Sequence, residues 1–133
     1  MTVTGDTGDA GTGETSENSS LSSKRLSVGL QHTCAINTEG TAQCWGGNDA
    51  GQSTVPSNLG TVSGISTYHY HTCAIQTDGI AQCWGANHAG QSTVPSDLGS
   101  IRDISTGHSH TCAVTTDNAL QCWDWNDDGQ TTV

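Results

Sequence analysis

Cys34, Cys73 and Cys112 stand 39 residues apart, and Cys44, Cys83 and Cys122 repeat the same interval. A fixed period with one residue pattern per copy means that a single supersecondary unit is written three times. Each unit must then bury its apolar faces against a neighbour instead of within itself. The first two copies share the run Ala-Gly-Gln-Ser-Thr-Val-Pro-Ser at Ala50 to Ser57 and Ala89 to Ser96. The third reaches Val133, aligned with Val94, about nine residues short of a full unit.

The local build of one unit follows by counting outward from Thr77-Asp78-Gly79. A three-residue turn with Gly79 in the left-handed conformation pairs Gln76 with Ile80, Ile75 with Ala81, Ala74 with Gln82 and Cys73 with Cys83. The third copy has Asn118 where the others have Gly, and Asn tolerates left-handed geometry best after Gly. Alternation places Cys73, Ile75, Ala81 and Cys83 on one face of the hairpin and Thr72, Ala74, Gln82 and Trp84 on the other. Apolar groups on both faces suit a sheet held between two neighbours. A further strand is expected over Val62–Thr67 and Ile101–Thr106, with Pro56 and Pro95 in connecting loops where no ladder donor is needed.

The same counting sets Cys34 against Cys44, Cys73 against Cys83 and Cys112 against Cys122 at non-hydrogen-bonded positions, where strands lie close enough for disulfides. Three such staples suit a chain that is only 32% hydrophobic and lacks Phe. A zinc site of two Cys with His32, His71 or His110 is the competing reading, although the usual tight chelating pair is missing. Buried reduced thiols are another. A redox site would want Cys-x-x-Cys at a helix start.

Seventeen Gly, two Pro and no window of apolar residues at helical spacing point to an all-β protein. Residues 1–25 are Gly, Thr, Ser and acid and read as a disordered tail or linker. The repeats then occupy residues 26–133, as 26–64, 65–103 and a truncated 104–133. Thirteen acidic against three basic residues give a formal charge of −10. Such a surface repels phosphate backbones and disfavours nucleic acid as a partner. There is no apolar run of membrane-spanning length, and the amino terminus lacks a signal-peptide pattern.

The unit Ile104 to Trp123, with its His-Thr-Cys-Ala segment, and the phrase Cys-Trp-Gly-Ala-Asn-His-Ala-Gly-Gln at Cys83 to Gln91 resemble the regulator-of-chromosome-condensation repeat. The resemblance covers about residues 26–133 and is most similar to bacterial members with a short period and paired cysteines. It implies a β-propeller, usually of seven four-stranded blades, that serves as a protein-binding platform; here three repeats would form a partial propeller of antiparallel blades. The chain is then expected to be a gene fragment, or an arc that several copies complete into a ring. Trp123 is followed by Asp124 where the pattern has Gly46 or Gly85, and no residue of the eukaryotic member's nucleotide-exchange loops can be matched.

The functional expectation is a non-catalytic protein-interaction module without cofactor. Its setting is extracellular or cell-surface, inferred from the paired cysteines. His32, His71 and His110, and Trp45, Trp84 and Trp123, recur in every copy and read as structural: a buried His tying strand to loop, and an indole packed between blades. Tyr68, His69, Tyr70, His88, His108 and Trp125 are not demanded by the repeat and are the interaction candidates. Asp124, Asn126 and Asp128 open like a calcium loop but lack its twelfth-position Glu, so a calcium- or glycan-binding wall module is the alternative. A catalytic channel would have to draw on Asp103, His108 and Asp124. Guanine-nucleotide exchange is the family analogy, and the acidity disfavours it.

Overall fold

The computed structural model describes residues 24–133. The tail expected over residues 1–25 lies, up to residue 23, outside them. Among the described residues, nine strands form three separate antiparallel sheets, one per repeat. Blade 1 holds β1 (Leu26–Val28), β2 (His32–Ile36) and β3 (Ala42–Gly46); blade 2 holds β4 (Val62–Tyr68), β5 (His71–Gln76) and β6 (Ala81–Gly85); blade 3 holds β7 (Ile101–Thr106), β8 (His110–Thr115) and β9 (Leu120–Asp124). In each sheet the middle strand is the second in sequence.

The hairpin register is the counted one: Ile75 faces Ala81, Ala74 faces Gln82 and Cys73 faces Cys83. Gln76 N–H donates to the Ile80 carbonyl at 2.8 Å, and Gly79 has φ +89°. Asn118 takes φ +72° in the third copy. The cysteines sit at the close, non-hydrogen-bonded positions, with Cα atoms 4.0 to 4.1 Å apart, and all six are disulfide-bonded in the pairs 34–44, 73–83 and 112–122. The first strand of blades 2 and 3 is bulged at the same place, at Ser63 and at Arg102.

The expected fourth strand of each blade is not formed among the described residues, and the chemistry of the connecting segment explains why. Asn48 Oδ1 accepts from Ser53 N–H at 2.8 Å, its amide donates to Thr54 Oγ1, and Gly51 turns at φ +83°. Those local bonds use groups that a ladder would need. Pro56 then removes a further donor.

Blade 2 is buried on both faces, as its two-sided apolar pattern requires. Cys73, Ile75 and Ala81 pack with Leu98, Ile101, Ile104, Ala113 and Trp123 of the third unit and its connector. Ala74 and Trp84, on the opposite face, pack with Cys34, Ile36 and Ala42 of blade 1. Blades 1 and 3 each have one such face covered. On the other, Leu26, Trp45 and Leu120 are exposed.

Candidate interaction face and the joints between blades

Recurring polar residues build the joints. His32 Nε2 lies 2.8 Å from Thr72 Oγ1, and His71 Nε2 lies 3.0 Å from Thr111 Oγ1. Each Thr hydroxyl donates onward to a carbonyl, Thr72 to Gln52 and Thr111 to Gln91, both at 3.0 Å. A hydroxyl has one proton, so the imidazole must be the donor and its Nε2 carries the hydrogen. The Trp84 and Trp123 indoles donate to the same two carbonyls, at 2.9 and 3.3 Å. The histidines therefore tie blade to blade, not strand to loop as expected from the sequence. Gln52 and Gln91, both buried, belong to the same joints although no motif singles them out. Their signal was their recurrence beside each Ala-Gly turn.

Burial shapes how these histidines titrate. Removal from water holds His32 below the ordinary imidazole value. It pushes His71 down to about 4, helped by the nearby His110, His32, His108 and His88. His71 keeps an ordinary value near 6.5 once unfolded, so the unfolded chain binds the extra proton between pH 6.5 and 4. Stability is then fully present above 6.5 and falls as pH drops toward 4. Asp124 runs the other way: burial raises it to about 6, so the folded state gains as pH drops from 6 toward 4. Thermal unfolding at pH 7, 6 and 5 should show Tm falling with acidification. D124N, which removes the opposing contribution, should make the fall steeper.

Asp124 occupies the position of Gly46 and Gly85, which have φ +106° and +103° and where an added Cβ would come within 2.6 and 2.5 Å of a backbone carbonyl. It is left-handed too, at φ +91°. The neighbouring bond relaxes to admit its Cβ: Trp125 N–H to the Ser109 carbonyl is 3.2 Å, against 2.6 and 2.7 Å for Gly47 and Ala86. The carboxylate packs over Gly90 of the preceding unit. Asn126, the second calcium candidate, spends its side chain on Thr131 N–H and Thr132 Oγ1, as Asn48 and Asn87 do in their own turns. Asp128 is exposed beside it, with its N–H bonded to Gln130 Oε1. No group of three or more metal-ligating side chains forms among the described residues.

The non-repeating candidates converge at one end of blades 2 and 3. His69 stacks on His108 with centroids 4.2 Å apart and lies 4.0 Å from the Tyr70 ring and 6.4 Å from Tyr68. Ser109 Oγ is 2.9 Å from His108 Nδ1 and 3.5 Å from His88 Nε2, so one hydroxyl bridges the two rings. His88, His108 and Trp125 line a recess of about 250 Å³ with His110 and Gln130. Tyr68, His88, His108 and Trp125 are exposed. Partial removal from water, then the nearby His108 and His88, lower the His69 pKa. Asp103 is elsewhere, on the outer face of blade 3 beside Cys112 and Leu120.

Comparison with known proteins agrees with this architecture. The family model for the regulator of chromosome condensation (RCC1) repeat matches residues 24–52, 62–91 and 101–130. No curated protein matches the chain significantly. Among solved structures it is similar to the ectodomain of the Physcomitrella patens receptor kinase CR4, with TM-score 0.61 and 23% identity over 74% of this chain and 28% of that one. It is similar to Saccharomyces cerevisiae Prp20p, a protein described with its binding to Gsp1p and histones, with TM-score 0.66 and 15% identity over 77% and 33%. The CRINKLY ectodomain of the Arabidopsis thaliana receptor kinase ACR4 aligns with TM-score 0.58 and 25% identity over 75% and 35%. The chain thus spans about a third of the length of these solved proteins. Three disulfide-locked sheets, stacked through one repeated His-Thr-Trp joint, belong to the regulator of chromosome condensation repeat family.

Proposed function

We propose that the chain is a non-catalytic recognition module, working outside the cell or at its surface, whose protein partner docks on the histidine-aromatic end of blades 2 and 3. One observation carries the reading. The residues that the repeat does not require, Tyr68, His69, Tyr70, His88, His108 and Trp125, form a contiguous and largely exposed surface. Aromatic groups with low rotamer entropy are what a binding surface uses as anchors. The protein binding described for Prp20p favours the same class of role. The three disulfides favour an oxidising compartment. Self-association belongs to this reading as well, with further copies continuing the arc of blades.

The test is cross-linking of the purified chain to the surface and medium fractions of its source cells, followed by identification of the captured protein. H69A/H108A/W125A should lose capture by tenfold or more, while a control at exposed Asp49 keeps it. Capture that survives the triple variant, or binding that requires calcium or sugar instead, would overturn the proposal.

A further inference from the structure

The two outer faces are the separated halves of the joint that the chain makes twice internally. On the outer side of blade 3 stand the ring of His110, the Gln130 carbonyl and an apolar recess lined by Cys112, Val114 and Leu120. No described residue bonds the His110 side chain. On the outer side of blade 1 stand Thr33 and Trp45, paired across β2 and β3 as Thr72 pairs with Trp84. Leu26 is there too, at the position of Ile65 and Ile104. Where a neighbouring blade is present, Ile65 and Ile104 are 1% and 7% exposed and Trp84 and Trp123 are both 8% exposed; without one, Leu26 is 58% and Trp45 53% exposed.

From this complementarity we infer that copies of the chain associate head to tail, the outer face of blade 3 seating on the outer face of blade 1 of the next copy. His110 then donates to Thr33 Oγ1, and the Thr33 hydroxyl and the Trp45 indole both donate to the Gln130 carbonyl, repeating the joint between blades 1 and 2 and between blades 2 and 3. Leu26 and Trp45 fill the recess at Cys112, Val114 and Leu120. A further bond is kept in part. Thr67 and Thr106 donate backbone N–H to Ser27 and Ser66 at 2.9 and 3.1 Å; Val28 holds that position in blade 1, so its N–H would reach Ser105 without the extra hydroxyl contact. Charge opposes the like-to-like arrangement. Blade 3 and its following turn carry Asp103, Asp117, Asp124, Asp127 and Asp128 against Arg102, whereas in blade 1 and its turn Lys24 and Arg25 balance Glu39 and Asp49. Such a contact is heterologous, and closes into a ring or grows according to its rotation.

This rests on the reading of the chain as an arc of blades, and not on the partner of the histidine-aromatic face. The test is sedimentation of the full chain, oxidised, from micromolar to submillimolar concentration, with two variants at exposed positions, L26D and L120R. Wild type should exceed the 13.7 kDa chain mass, each variant should stay monomeric with native circular dichroism, and an equimolar mixture of the two should give dimers only. The L26D copy keeps an intact blade 3 face and the L120R copy an intact blade 1 face, so one joint survives and cannot propagate. H69A, on the middle blade and away from both outer faces, should leave the masses unchanged, which separates this outcome from failure of the recognition proposal. A monomeric wild type, a mixture that stays monomeric, or dimers of either variant alone would each overturn the inference.

Discussion

W84A is expected to destabilise the chain by about 3–5 kcal/mol, the range for truncating a large buried aromatic, whereas W45A is expected to stay within about 0.5 kcal/mol, as for an exposed side chain. The two tryptophans hold the same position in the repeat and have the same sequence neighbours, Cys before and Gly after. Trp84 packs against Cys34, Ile36 and Ala42 and donates to the Gln52 carbonyl; Trp45 is more than half exposed. Truncating Trp84 leaves a cavity in the joint and takes one donor from a carbonyl that keeps only Thr72. Urea unfolding of the two variants, below the concentration at which copies associate, measures the contrast. Equal losses would mean that the blades do not stack as described.

Breaking a sulfur bridge should be the next largest effect. C73A/C83A removes the staple of the most buried sheet, and a loop of this length is worth about 2–3 kcal/mol. The half-cystine Cys73 also sits in the apolar joint to blade 3 at 0% exposure, so alanine adds some lost packing. Reduction of all three bridges should remove about 6–9 kcal/mol, comparable with the whole stability of an ordinary small domain. The reduced chain should lose its sheet signal by circular dichroism at room temperature. Thiol titration of the denatured, unreduced protein should return zero free thiols. Six titratable thiols, or a folded reduced chain, would contradict the disulfide framework.

Much of this was legible before any coordinates. The left-handed demand at Gly79, met by Asn118 in the third copy, set the hairpin register to the residue, because a three-residue turn leaves no freedom in which side chains oppose each other. Alternation along β5 and β6 then told which residues share a face. The number of strands per blade was not legible: Asn48 and Asn87 look like ordinary turn residues, and only the bonds they make reveal that the connector cannot form a ladder. Nor was the partner of His71, since Thr111 lies 40 residues away and no local pattern joins them. The gathering of His69, His88, His108 and Trp125 had only one sequence signal, their departure from the repeat.

Sequence alone determined the unit: its period, its turn, its cysteine pairing and the two apolar faces that make isolation unfavourable. These follow from local stereochemistry and alternation, which act over a few residues and are the same in every copy. Tertiary structure decided which copies of an identical residue are buried, which way each imidazole gives its proton, and which irregular side chains share one end. Those depend on whether a neighbouring blade is present, and identical units acquire different environments only through their place in the stack.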